Sequence, residues 1–210
     1  NPKYSFKWNP IQEILFRGSY NRGFRAPSFF QLYTAQSEAI VPGNLADPVL
    51  CPQSTNNDPA VCAIRPLARQ GGNPDLQPEK SKQRSLGLVF APTDWLTANF
   101  DLWELRRKGV IQQLTPQQVV ANYTTFPENL VRGTDGRLNG PGGYIRAGFV
   151  NADGDILKGY EMGLQANTKL GNGKLKGEIN GTYMKSAKTR IFATQDYTEQ
   201  VGKHTFPNLY

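Results

Sequence analysis

Histidine and cysteine are almost missing from these 210 residues: there is one His, at position 204, and two Cys, at 51 and 62. That is too few for an ordinary zinc site, which takes four protein ligands or three plus water. No Ser or Cys motif stands beside His204 to form a nucleophile–base pair, and no pattern sets two carboxylates across a cleft. No enzyme is expected, nor any metal or cofactor site. No apolar run approaches 18 residues and the mean hydropathy is −0.52, which excludes a transmembrane helix. It does not exclude a transmembrane β-barrel, whose strands alternate apolar and polar residues. The start, Asn1-Pro2-Lys3-Tyr4, lacks the apolar segment of a signal peptide; the chain is read as mature or as cut from something longer.

What is present is alternation. Ile14, Phe16, Gly18 and Tyr20 lie on one face of a period-2 segment, with Leu15, Arg17, Ser19 and Asn21 on the other. Leu86, Leu88 and Phe90 repeat the pattern. So do Leu96, Ala98, Phe100 and Leu102, then Tyr160, Met162, Leu164 and Ala166, then Leu175, Gly177, Ile179, Gly181 and Tyr183. Such alternation marks strands with one apolar face. Short turns around Asn9-Pro10, Ala91-Pro92-Thr93-Asp94 and Gly171-Asn172-Gly173 make the pairs antiparallel hairpins.

Length and asymmetry carry the reading further. The segments 14–24 and 95–108 exceed the five or six residues of a usual globular strand. The face opposite the apolar one is rich in Asn, Gln, Ser, Thr and Gly. Short turns alternate with long connections, Arg25 to Glu79 and Gly109 to Tyr144. Tight turns at one end and long loops at the other are the mark of an outer-membrane barrel; in a compact soluble domain, loops of that length would argue against the strands. Within the second loop, Thr115 as N-cap and Pro116 at the first helical position predict a short helix over 115–122, packed against the strands.

Four segments resemble the C-terminal barrel of the TonB-dependent outer-membrane receptors. Tyr20-Asn21-Arg22-Gly23-Phe24-Arg25-Ala26-Pro27-Ser28 is similar to the stretch where an up-strand enters a surface loop. Asn73-Pro74-Asp75-Leu76-Gln77-Pro78-Glu79-Lys80-Ser81 resembles the start of the next strand, Phe100-Asp101-Leu102-Trp103 an aromatic strand, and Asn151 with Lys158-Gly159-Tyr160-Glu161 a later one. They occur in the family's order and span residues 15–190. The resemblance implies an all-β fold: an antiparallel meander of about six or seven long strands, part of a 22-stranded transmembrane β-barrel with a plugged lumen, with long extracellular loops. Residues 1–210 are then a partial barrel domain without the plug, a TonB box or the closing C-terminal strands, ending at Tyr210 in a descending strand. The implied activity is uptake of a scarce nutrient, most commonly a ferric siderophore or other metal chelate, across a Gram-negative outer membrane. The implied partners are the TonB complex and the plug, through the full-length protein.

On this reading Ile14, Phe16, Leu88, Phe100, Leu164 and Ile179 face lipid, and Trp8, Trp95, Tyr20 and Tyr183 form an aromatic girdle. Arg17, Asn21, Asn99, Asp101, Glu161, Gln165, Glu178 and Asn180 face the lumen. The net charge is +7, from 24 basic and 17 acidic residues. The cations gather at loop-side strand ends and in loops rather than along a nucleic-acid stripe, so the expected partners are lipid, lipopolysaccharide phosphates or an anionic chelate, and no nucleic acid. Arg17, Arg22, Arg25, Arg65, Arg69, Arg106 and Arg107 are the candidate ligand-binding residues. Cys51 and Cys62, in a Pro/Asn-rich stretch, suit a loop disulfide, with two free thiols as the alternative. Asn151-Ala152-Asp153-Gly154-Asp155 looks like the start of a calcium loop but has Ile156 and Met162 where such a loop needs Gly and Glu. A secreted or surface β-sandwich recognising glycan is the competing function, and a β-rich hydrolase the third.

Overall fold

The computed structural model describes residues 2–203; His204 and the predicted descending strand at Tyr210 lie outside them. In chain order the strands are β1 (Lys3–Ile11), β2 (Ile14–Arg25), β3 (Ser37–Ile40), β4 (Leu67–Gln70), β5 (Glu79–Thr93), β6 (Leu96–Gln113), β7 (Leu130–Val131), β8 (Tyr144–Arg146), β9 (Phe149–Leu170), β10 (Gly173–Arg190) and β11 (Thr198–Glu199). Three short helices, α1 (Phe29–Tyr33), α2 (Pro59–Cys62) and α3 (Pro116–Ala121), lie between them. The chain forms two compact units: Asn1–Arg25, Glu79–Val110 and Ala152–Tyr210 make the first, Ala26–Pro78 and Ile111–Asn151 the second.

The first unit is a seven-stranded sheet in the order β1-β2-β5-β6-β9-β10-β11. Six strands are long, and the alternating segments of the sequence fall inside them. Tight turns join β1 to β2, β5 to β6 and β9 to β10. Both long connections leave from the other strand ends, where Arg25 pairs with Glu79 and Lys80 with Lys108. The sheet is not closed.

Two turns sit a few residues later than the prolines suggested. Asn9 and Pro10 belong to β1, which turns at Gln12–Glu13; the register slips between Trp8 and Ile11. Pro92 likewise lies at a slip between Phe90 and Thr93, and the turn is Asp94–Trp95. Proline has no N–H for the ladder, so it settles at a bulge. Here it marks the irregularity next to the hairpin, not the hairpin itself.

The long connections carry structure of their own, which makes up the second unit. It holds a four-stranded sheet, β3-β4-β8-β7, in which β4 and β8 run parallel, Ala68 opposite Ile145 and Arg69 opposite Arg146. The first connection supplies β3 and β4, the second β7 and β8. Helix α3 packs against β8. Its capping box is complete: the Gln118 amide donates to Thr115 Oγ1, and the Thr115 amide to Gln118 Oε1. Most of the fully buried apolar residues, among them Val41, Ile64, Leu114, Val119, Leu138 and Ile145, lie in this unit.

Candidate functional site

Two arrangements could carry function: the two faces of the large sheet, and the polar contacts of the loop unit.

Residues opposite one another in an antiparallel pair share a face, and successive residues alternate. Trp8, Phe16, Leu88 and Phe100 stand in one transverse row across β1, β2, β5 and β6. Rings stack on the same face: Trp8 on Phe16 with centroids 5.5 Å apart, Phe100 on Tyr160 at 5.8 Å, and Tyr160 on Tyr183 at 6.1 Å. None of this is a closed interior, since Phe100 is 40% and Ile179 73% exposed. A sandwich would bury such a face under a second sheet. Exposed apolar patches of this extent need a non-aqueous partner.

The opposite face is polar and internally paired. Arg17, Gly87 and Asp101 are in register on β2, β5 and β6. The Arg17 fork reaches across to Asp101, Nε to Oδ1 at 3.0 Å and Nη2 to Oδ2 at 2.5 Å. A glycine between them is needed, because a Cβ on Gly87 would stand 2.0 Å from Asp101 Oδ1. Nearer the loops, Arg25 pairs with Glu79, Nε to Oε2 at 2.9 Å. Arg107 holds Asp155 through Nε and Nη2. Arg190 reaches Asp153 at 2.7 Å, so both aspartates of the calcium-like segment are engaged by arginines. The indole Nε1 of Trp103, buried on this face, is the one buried side-chain polar atom without a partner among the described residues.

The seven candidate arginines therefore separate by position. Arg17, Arg25 and Arg107 lie on the polar face, each on a carboxylate. Arg22 and Arg106 are even-numbered residues of β2 and β6 and project from the apolar face, beside Tyr20 and Glu104; Arg22 Nε donates to Tyr20 Oη at 2.7 Å and Arg106 Nε to Glu104 Oε1 at 2.6 Å. Counting by twos from Phe16 and Leu102 would have found this in the sequence. Arg65 and Arg69 belong to the loop unit. Arg65 donates to the Val41 carbonyl at 3.4 Å, while Arg69 donates to Glu38 at 2.5 Å and lies 3.7 Å above the Tyr144 ring. Cys51 and Cys62 are joined by a disulfide.

One feature of the loop unit had no signal at the level of charge. Asp47, 1% exposed, accepts from Arg132 Nη1 at 2.7 Å and Nη2 at 2.9 Å, and from the Val49 and Leu50 amides at 2.9 and 3.0 Å. Burial pushes its carboxyl up, but the Arg132 fork and the two amides together outweigh burial and hold it below the ordinary aspartate range. The pair ties the first connection to the second. The reciprocal bonds of Gln77 and Asn151 do the same, with the Gln77 amide on Asn151 Oδ1 and Asn151 Nδ2 on the Gln77 carbonyl, both at 2.8 Å. Asp47-Pro48 is a turn signal in the sequence, but nothing local names Arg132 as its partner.

Residues 1–208 match the family model described as TonB dependent receptor-like, beta-barrel. The chain belongs to the TonB-dependent receptor β-barrel family. That is a family of transport receptors, not of enzymes. Its fold is shared with a point mutant of the ferric enterobactin receptor of Pseudomonas aeruginosa in complex with enterobactin, at 18% identity and TM-score 0.57, covering 87% of this chain and 22% of that one. The siderophore receptor PirA of Acinetobacter baumannii is similar at 16% identity and TM-score 0.59, over 90% of this chain and 24% of that one. At such identities the likeness is one of fold. The chain spans less than a quarter of the length of these receptors. No curated sequence relative matches it.

Proposed function

We propose that this chain is part of a receptor in the outer membrane of a Gram-negative bacterium, taking up a ferric siderophore or another metal chelate with energy from the TonB complex. The observation that carries the reading is the segregation of the large sheet into an exposed apolar face and an ion-paired polar face, on a fold shared with siderophore receptors. A closed barrel needs oil outside and a polar, filled lumen inside. In the full protein the occupant is the plug domain.

Capture is assigned to the loop unit. Its disulfide, buried ion pair and parallel β4–β8 pairing make it a folded surface rather than a set of floppy strands, which limits the entropy lost on binding. Arg69 over Tyr144, with Arg146 beside it in the β4–β8 register, offers charge and an aromatic face to an anionic chelate. Arg25 and Arg107 stay on their carboxylates and serve as wall. The test is growth of a strain deleted for the full gene on a panel of ferric chelates and cobalamin as sole iron or cobalamin source. Loss of growth on one chelate, restored by the gene, supports the reading; unchanged growth on every source refutes it.

A further inference from the structure

The two units of the chain carry charge of opposite sign. Residues 26–78 and 111–151, the loop unit, hold five arginines, no lysine and no histidine, against six carboxylates. That unit is therefore net −1. Of the chain's 24 basic and 17 acidic residues, 19 and 11 lie in the sheet unit, which holds +8. A surface built to draw in a multiply charged anion is expected to be strongly cationic, because summed charge steers such ligands. The loop unit is not.

The placement of its arginines sharpens the point. Arg132 is held by Asp47 and Arg65 by the Val41 carbonyl. On the small sheet, Glu38, Arg69 and Arg146 stand in one transverse row across β3, β4 and β8. Arg69 lies over the Tyr144 ring and donates to Glu38, whereas Arg146 bonds the Tyr144 hydroxyl. Two guanidiniums and one carboxylate leave the row with a single positive charge. The Glu38–Arg69 pair is half-exposed on both sides, and such surface pairs add little to stability. Immediately beyond β4 and β8 the surface turns aromatic. Helix α1 is fixed there by the Asn73 amide on the Gln31 carbonyl and the Gly72 amide on the Thr34 carbonyl, both at 2.9 Å. It carries no charged residue. Phe30 sets its ring edge-on to Phe149 at 6.0 Å. Phe29 and Tyr33, one helical turn apart with centroids at 6.2 Å, are 82% and 66% exposed.

We propose that the loop unit selects a metal chelate with at most one negative charge and an aromatic or apolar periphery, and that Glu38 is the residue that sets this limit. The inference rests on the transport reading above and narrows its ligand class. Arg146 meets the single charge, and the exposed rings of Phe29 and Tyr33 take the periphery by stacking. A trianionic chelate needs further cations, but Arg69 is neutralised by Glu38, and the same carboxylate faces the ligand as a like charge. Discrimination of this kind depends on the repulsive group as much as on the attractive one.

The experiment titrates the full receptor in detergent, by calorimetry, with three ferric chelates: an uncharged tris-hydroxamate, the same ligand bearing one carboxylate, and trianionic ferric enterobactin. The wild type should bind a low-charge chelate at least about tenfold more tightly than ferric enterobactin. Removing one negative charge about 8 Å from a trianion is worth about tenfold in affinity at about 10 mM salt and about threefold at about 0.15 M. E38Q should therefore tighten ferric enterobactin by those factors and change the uncharged chelate by less than about twofold. A Glu38 with only a structural role would move all three affinities together. Ferric enterobactin bound by the wild type as tightly as the low-charge chelates, binding of neither low-charge chelate, or an unchanged ratio in E38Q overturns the proposal. Growth separates this from the transport reading. Growth through the gene on multiply charged chelates alone sinks this inference and leaves transport standing; growth on no chelate refutes the transport reading.

Discussion

Replacing Arg132 by Met should loosen the loop unit while leaving the large sheet intact. The substitution strands the Asp47 carboxylate in a site where it is almost fully enclosed. Breaking a buried pair by removing one partner costs about 3–5 kcal/mol. Two features lower that here: Asp47 keeps the Val49 and Leu50 amides, and the Arg132 side chain is 28% exposed, so water screens part of the attraction. An expected cost of about 2–3 kcal/mol follows, or roughly 30- to 150-fold faster local opening. Hydrogen exchange by mass spectrometry on the full receptor reads it: peptides covering 41–64 and 130–146 should accelerate by that factor, and those of β2, β5 and β6 should not. The pH dependence has a definite sign. The folded Asp47 value is depressed, so in the wild type the pair's contribution is complete above the unfolded value of about 3.9 and is lost as pH falls through the lower folded value. In R132M protonation removes the unpaired charge, so the gap between variant and wild type should narrow toward acid. Exchange unchanged within a factor of two, or a gap that widens below pH 4, would refute the reasoning.

Further substitutions test other parts. Ile179→Lys puts a charge on the apolar face and should cost about 2–4 kcal/mol in urea titrations of the full receptor in vesicles; Asn180→Lys, on the other face, should change stability little. Gly154 has φ +151°, and a Cβ there would stand 2.0 Å from the Arg107 carbonyl oxygen. Gly154→Ala should therefore lower the folded yield and speed exchange at the loop-side ends of β6 and β9, by an amount consistent with about 1–3 kcal/mol of backbone strain. Reducing the Cys51–Cys62 bridge, which closes a sequence separation of 11, should remove about 2–3 kcal/mol on the chain-entropy account, visible as faster proteolytic nicking between the two cysteines in the reduced receptor.

The long strands were legible because a single local rule wrote them. Wherever lipid or solvent meets one face and a polar lumen the other, residues must alternate, and Phe16, Leu88, Phe100 and Ile179 each announce their face by their neighbours. The prolines misled by two or three residues, because proline marks a break in the ladder and a bulge breaks it as well as a turn does. The loop unit was illegible for the opposite reason. Its strands are two to four residues long, too short for a period, and Ala68 finds Ile145 across more than seventy residues of chain. Tertiary pairing decides such structure, and no window of sequence contains it. The candidate site was half visible: charge placed the arginines at the loop side, yet parity had to be counted strand by strand to see that Arg22 and Arg106 face away from Arg25 and Arg107.

The central claim is that the apolar face of the large sheet meets acyl chains. The two cysteines of this chain are joined in the disulfide; with any free cysteine elsewhere in the full receptor replaced by serine, single cysteines are introduced at 99, 100, 101, 102, 164 and 165, spin-labelled and reconstituted in lipid vesicles. Collision with oxygen, which concentrates in the bilayer, is then compared with collision with a water-soluble nickel chelate. Labels at Phe100, Leu102 and Leu164 should favour oxygen, and those at Asn99, Asp101 and Gln165 the nickel chelate or neither. Equal accessibility at odd and even positions, or oxygen preference on the Asp101 face, would contradict the account.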